Sequence, residues 1–70
     1  MSDHVYKTIE ITGSSTDGLT QAIDRAVSKA SQSLRALDWF EVTEIRGFLG
    51  HTSEVQNFQV TMKLGLRLED

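Results

Sequence analysis

An α+β fold in the order strand, helix, strand, strand, with one three-stranded antiparallel sheet and a single helix on one of its faces, is what these 70 residues predict. Three observations carry it. The chain opens on an alternating segment with β-branched residues, continues in one apolar stripe at helical spacing, and closes on two further alternating runs divided by a polar turn.

The first strand is read at Val5 to Thr12, where Val5, Ile9 and Ile11 share one parity and Tyr6, Thr8, Glu10 and Thr12 the other; Gly13 ends it. Ser14-Ser15-Thr16-Asp17 is a helix start, with a serine hydroxyl placed to accept an orphan N–H and Asp17 placed where the helix dipole favours negative charge. Leu19, Ala22, Ile23, Ala26, Val27, Ala30, Leu34 and Leu37 recur at three and four, predicting a helix over Thr16 to Leu37, roughly 30 Å long at 1.5 Å per residue. Its row of Ala22, Ala26 and Ala30 lets it lie close on a sheet. Trp39 to Leu49 is the second strand. Phe40 and Val42 sit on one parity and Ile45 and Leu49 on the other, a flip that predicts either a bulge near Thr43-Glu44 or a strand buried on both sides in places. After the polar turn Gly50 to Ser53, the residues Phe58, Val60, Met62, Leu64, Leu66 and Leu68 alternate without a break, against Asn57, Gln59, Thr61, Lys63, Gly65 and Arg67. The last two strands make a hairpin, and a first strand parallel to the second puts the C-terminal strand in the middle.

The chain, read as one domain over residues 1–70, is short enough to bury only roughly 60% of its unfolded surface. Folds of this size need a staple. Cysteine is absent, which excludes disulfides, and His4 and His51 are the two imidazoles, far apart in sequence. Self-association is the staple that remains. The central strand is longer than one helix covers, and the second strand is an edge rich in Trp39, Phe40, Val42, Ile45 and Phe48, a liability unless another chain covers it.

Ten acidic against seven basic residues give a net charge of −3, which opposes nucleic-acid binding. No apolar run reaches about eighteen residues, so no membrane span is expected. The start Met1-Ser2-Asp3-His4 is polar, without a hydrophobic signal core, and a cytoplasmic protein is the expectation.

Catalytic patterns are thin. His51, Ser53 and Glu54 share a turn whose composition is that of a solvated hairpin loop. Glu41 and Glu44, three apart, fall on opposite faces of a regular strand, a placement that a bulge between them alters. No glycine-rich phosphate loop or metal-ligand spacing occurs. More telling is Asp38-Trp39-Phe40-Glu41-Val42 followed by Ile45-Arg46-Gly47. The single tryptophan begins an edge strand, where its plain reading is a rim aromatic packing on the core or on a neighbouring subunit. Gln59, between Asn57 and Thr61, either solvates the sheet or fixes a planar heterocycle through paired hydrogen bonds. Arg46 meets a phosphate or pairs with Glu44.

These segments, with Tyr6-Lys7, Gly13-Ser14-Ser15, Phe58-Gln59-Val60 and Gly65-Leu66-Arg67-Leu68-Glu69, make the chain resemble a bacterial dodecin over nearly its whole length. The resemblance implies a three-stranded antiparallel sheet partly wrapped around one helix and assembled as a hollow homo-dodecamer. It implies reversible binding and storage of flavin, chiefly FMN, with coenzyme A bound by some members; riboflavin and FAD stay open as ligands. An indole in contact with the ring is a ready electron donor to photoexcited flavin, so photoprotection is expected, and with no general acid or base evident the expectation is storage without enzymatic turnover. Trp39 matches the tryptophan that stacks on the flavin and Gln59 the glutamine that bonds its edge. Arg46 matches a ligand-contacting arginine, Glu44 a carboxylate near the flavin side chain, and Arg67 a contact to phosphate or to coenzyme A. Two departures stand out: the His51–Glu54 loop is longer than the pattern, and Phe48 replaces a smaller or polar residue. A binder of another cofactor, a flavin enzyme and a purely structural assembly protein are the alternatives.

Overall fold

The unbroken alternation around Val60, Met62 and Leu64 should make the C-terminal strand the middle of the sheet, and a computed structural model, which describes residues 3–68, places it there. The elements are β1 (Tyr6–Ser15), α1 (Leu19–Ser31), β2 (Leu37–Leu49) and β3 (Val55–Arg67). The sheet runs β1-β3-β2, antiparallel at both joints, so β1 and β2 are parallel edges. Met1 and Ser2 of the polar start, Glu69 of the last quoted motif, and Asp70 lie outside the described residues.

The core is small. Val60, Met62 and Leu64 on the inner face of β3 meet Ala22 and Ala26 of α1, with Ile9, Ile11, Ile23, Val27 and Val42 partly buried around them. The helix lies close because its contacting side chains are alanines and because β1 offers Gly13. A Cβ there would stand 2.6 Å from the Ala26 Cβ and 2.7 Å from the Ala22 carbonyl oxygen. Gly13 therefore does not end the first strand; it permits close packing, and β1 continues through it to Ser15, paired with Phe58.

The helix is shorter at both ends than its apolar stripe suggests. At the start, Ser15 Oγ accepts the Asp17 N–H at 2.9 Å, forming a local turn instead of capping the helix. The N-cap is Gly18, at φ 150°, a conformation that favours glycine, and its carbonyl accepts the Ala22 N–H. Asp17 thus precedes the first turn and pairs with Arg25 at 2.6 Å. At the other end, Gln32 and Ser33 donate three residues back, to Lys29 and Ala30, and Ala36 takes φ 60°. The Arg67 N–H of β3 finds the Ala36 carbonyl at 3.0 Å, so Leu37 begins a strand although it continues the helical spacing. Thirteen residues give a helix of about 20 Å, against about 43 Å for β3.

β2 begins at Leu37 and β3 at Val55, each earlier than expected, while β3 closes at Arg67, one residue sooner. The bulge falls where the parity flips: the register shifts between Val42 and Glu44, and the Thr43 hydroxyl donates to the Thr61 carbonyl. α1 packs chiefly on β1 and β3. β2 therefore keeps Phe40 at 49% and Ile45 at 59% exposure, although both pair with buried β3 residues. The chain extends over 53 Å with a radius of gyration of 14.6 Å, where a compact domain of this length has about 11 Å. Its accessible surface of 5281 Å² exceeds the roughly 4,400 Å² usual for this mass. No described helix is long and apolar enough to cross a membrane.

Candidate functional site

Paired residues of an antiparallel ladder share a face, so the register places every side chain of interest. On the face turned away from α1, Arg67 pairs with Tyr6, Gly65 with Thr8 and Trp39, Lys63 with Glu10 and Glu41, Thr61 with Thr12 and Glu44, and Gln59 with Ser14 and Arg46. All five sequence candidates, Trp39, Gln59, Arg46, Glu44 and Arg67, stand on this one face. The bulge at Thr43 is the reason Glu44 does so. Without it, Glu41 and Glu44 would point to opposite sides, as expected from regular spacing; with it, both pair with same-face residues of β3.

The five form two groups. Near one end, the Arg46 guanidinium lies 3.6 Å from a Glu44 carboxylate oxygen and donates to Gln59 Oε1 at 3.4 Å. Both charged side chains are more than half exposed, so the pair is weakly held and its guanidinium is open to a stronger anion. Near the other end, the Trp39 ring lies over Gly65, whose backbone supplies a gap that a Cβ would fill by overlapping the indole. The ring remains 38% exposed. The Tyr6 ring meets it edge-on, centroids 5.8 Å apart at 62°, and the Tyr6 hydroxyl donates to Asp38 Oδ2 at 2.8 Å. That hydrogen bond, more than anything else, raises the Tyr6 pKa above its ordinary value. Arg67 sits beside this group, its Nη1 3.3 Å from His4 Nε2.

Six residues of β3 separate the Trp39 level from the Gln59 level, roughly 20 Å along the strand. A single chain does not bring indole and amide onto one small molecule. A concavity of about 660 Å³ between α1 and β1 lies on the other side of the sheet and includes none of the five candidates.

The hairpin loop is held by hydrogen bonds of Gly50 and Thr52 to Glu54. Thr52 Oγ1 donates to both Glu54 carboxylate oxygens at 3.0 and 2.9 Å, the Gly50 N–H donates to the Glu54 carbonyl, and no side-chain hydrogen bond joins His51 to Ser53. Its own backbone N–H, followed by Thr52, holds the Glu54 carboxyl below its usual pKa. Gly65, Tyr6 and Asp38 were not singled out as site residues from sequence. Their one signal is the glycine itself, a gap in the polar series of β3 at the position opposite Trp39.

The sequence model of the family described as Dodecin matches residues 5–69. A curated relative, the dodecin of Thermus thermophilus, is 48% identical over 66 residues, 94% of each chain. Among solved structures, the dodecin of Streptomyces coelicolor is 51% identical, with a TM-score of 0.88, over 100% of this chain and 99% of its own. That of Streptomyces davaonensis is 46% identical, with a TM-score of 0.87, over 99% of this chain and 100% of its own.

Proposed function

The chain belongs to the dodecin family, and from that premise we propose that it binds flavin, chiefly FMN, reversibly at contacts between copies of itself in a homo-dodecamer, storing the flavin and shielding it from light. The observation that carries this reading is the Trp39 indole, held over Gly65 with part of its surface still open. A planar tricycle placed on that open surface gains apolar burial and an aromatic stacking contribution of about 0.5–1.5 kcal/mol beyond area.

The separation of the two groups supports the need for a second copy. Two indoles related by a dyad enclose a pair of stacked rings, and with roughly 20 Å between Trp39 and Gln59 on one chain the amide reaches that pair from another copy. Gln59 presents one acceptor and two donors, which suits the alternating edge of a flavin pyrimidine ring. Arg46, loosely engaged by Glu44, would hold the phosphate, and the Glu44 carboxylate would accept hydrogen bonds from the ribityl hydroxyls. Arg67, at the Trp39 end, is a second cation for a phosphate, that of FMN or of coenzyme A. The bound flavin supplies an electron-poor, light-absorbing ring; the indole against it supplies an electron-rich quencher. No side chain is assigned a general acid or base role, so the reading is storage without turnover, by a single-domain cytoplasmic protein with neither nucleic-acid nor membrane partners.

Titration of FMN with protein, followed by flavin fluorescence, tests the reading. Wild type should quench the emission to saturation, and Trp39→Ala should weaken binding about thirtyfold or more, the loss typical of a buried aromatic anchor. Equal affinity in the two proteins would remove Trp39 from the site. Displacement of FMN by coenzyme A would place both ligands on the same surface.

A further inference from the structure

A planar ring stacks tightly only on a surface whose own plane is fixed, because freedom lost on binding subtracts from affinity. Trp39 begins an edge strand and is 38% exposed, a position where an indole would ordinarily sample several rotamers. Three features restrict it. The first is Gly65 on the central strand. Its neighbours on the same face, Lys63 and Arg67, carry long side chains, whereas any Cβ at Gly65 would overlap Cε2, Cζ2 and Nε1 of the indole. Gly65 is required for space, not for an unusual φ.

The second is Tyr6. It stands on β1, which is separated from β2 by β3, and side chains of two strands with a third between them seldom meet. Here the missing Gly65 side chain clears the way, and the rings come to 5.8 Å. The third is Asp38. The ladder passes directly from Leu37 to Trp39, so Asp38 is the residue left out of register, and its carboxylate accepts the Tyr6 hydroxyl at 2.8 Å. The residue before the indole and the ring beside it are thus tied to each other.

We propose that Gly65, Tyr6 and Asp38 form a cradle that fixes the plane of Trp39, with Gly65 setting the space for the ring and the Tyr6–Asp38 hydrogen bond holding the side wall. These are positioning residues, and the inference rests on the flavin-binding reading for its consequence, but not for its geometry. The mobility of the ring is readable in protein without ligand, since Trp39 is the one tryptophan of the chain.

Time-resolved fluorescence anisotropy of Trp39 in ligand-free protein, paired with FMN titration, tests it. Gly65→Ala should free the ring, adding fast local depolarisation, and weaken FMN at least tenfold. Tyr6→Phe keeps the ring edge and loses the hydroxyl, and should weaken FMN about fivefold, as for one net hydrogen bond. Asp38→Asn, which still offers an amide oxygen, should behave as wild type, while Asp38→Ala should match Tyr6→Phe. The double variant Tyr6→Phe/Asp38→Ala should be no worse than either single change. If Gly65→Ala fails to fold, the Tyr6 and Asp38 cycle decides alone. Wild-type anisotropy in Gly65→Ala or in Tyr6→Phe, or additive losses in the double variant, would overturn the cradle. A wild-type protein that ignores FMN would instead overturn the flavin reading, and the anisotropy would still decide the cradle.

Discussion

The inner residues of β3 and of β2 are both apolar and meet opposite fates. Along β3 the inner residues Val60, Met62 and Leu64 are buried under α1. Along β2, directly across the ladder, Ile45 pairs with Val60 and Phe40 with Leu64, yet both remain exposed. The difference is not hydrophobicity but what stands opposite. A helix of 13 residues covers β1 and β3 and stops short of a 13-residue edge strand. The uncovered half is an incomplete core, and an excess surface of roughly 900 Å² over a compact chain is its measure. Trp39 stands on the same strand but on the opposite face of the sheet, so the bare inner face and the proposed site are two separate surfaces of β2.

The sharpest way to break this contrast is to truncate both halves. Met62→Ala removes a side chain with no exposed surface and should cost about 2–5 kcal/mol in denaturant unfolding at fixed protein concentration. Ile45→Asp places a charge on the bare half. It should leave far-UV circular dichroism unchanged and lower the sedimentation coefficient by dissociating the assembly; a variant that stays fully assembled would show that this face is not an interface. Glycines sharpen the comparison on a smaller scale. Gly13→Ala drives a methyl into Ala26 and should cost about 1–3 kcal/mol, while Gly47→Ala, whose nearest neighbour would be 3.7 Å away, should change stability by no more than about 0.5 kcal/mol.

Smaller effects are electrostatic. Glu44→Gln removes an exposed ion pair at 3.6 Å and should shift stability by less than about 1 kcal/mol. The Tyr6 pKa is raised in the fold, so the hydroxyl keeps its bond to Asp38 below the ordinary tyrosine range and loses it as pH climbs through the raised value. Phenolate absorbance should therefore appear later in folded than in unfolded protein, and Asp38→Ala should bring it back toward the ordinary value of 10.0.

Much of this architecture was legible because a strand period of two is short and unambiguous. Phe58 to Leu68 announces the central strand, and the parity flip after Val42 announces the bulge. The helix ends were not legible. Leu34 and Leu37 continue the stripe, and only the tertiary demand of the Arg67 N–H for the Ala36 carbonyl shows that the chain has already turned. Likewise Gly13 resembles a strand terminator until the helix above it is seen. For the candidate site, residue types pointed to Trp39, Gln59 and Arg46, and the family resemblance added Glu44 and Arg67, but the register was needed to put them on one face and to show the gap of roughly 20 Å between Trp39 and Gln59. The cradle lies in an absence, the missing side chain of Gly65, and periodicity does not report what an absence makes room for.

Native mass spectrometry of the protein with added FMN reaches the central claim in one spectrum. The account predicts a twelve-chain ion series that retains flavin in wild type and, with Trp39→Ala, the same assembly stripped of flavin. A lone chain, or an assembly whose flavin content is indifferent to Trp39, would contradict it.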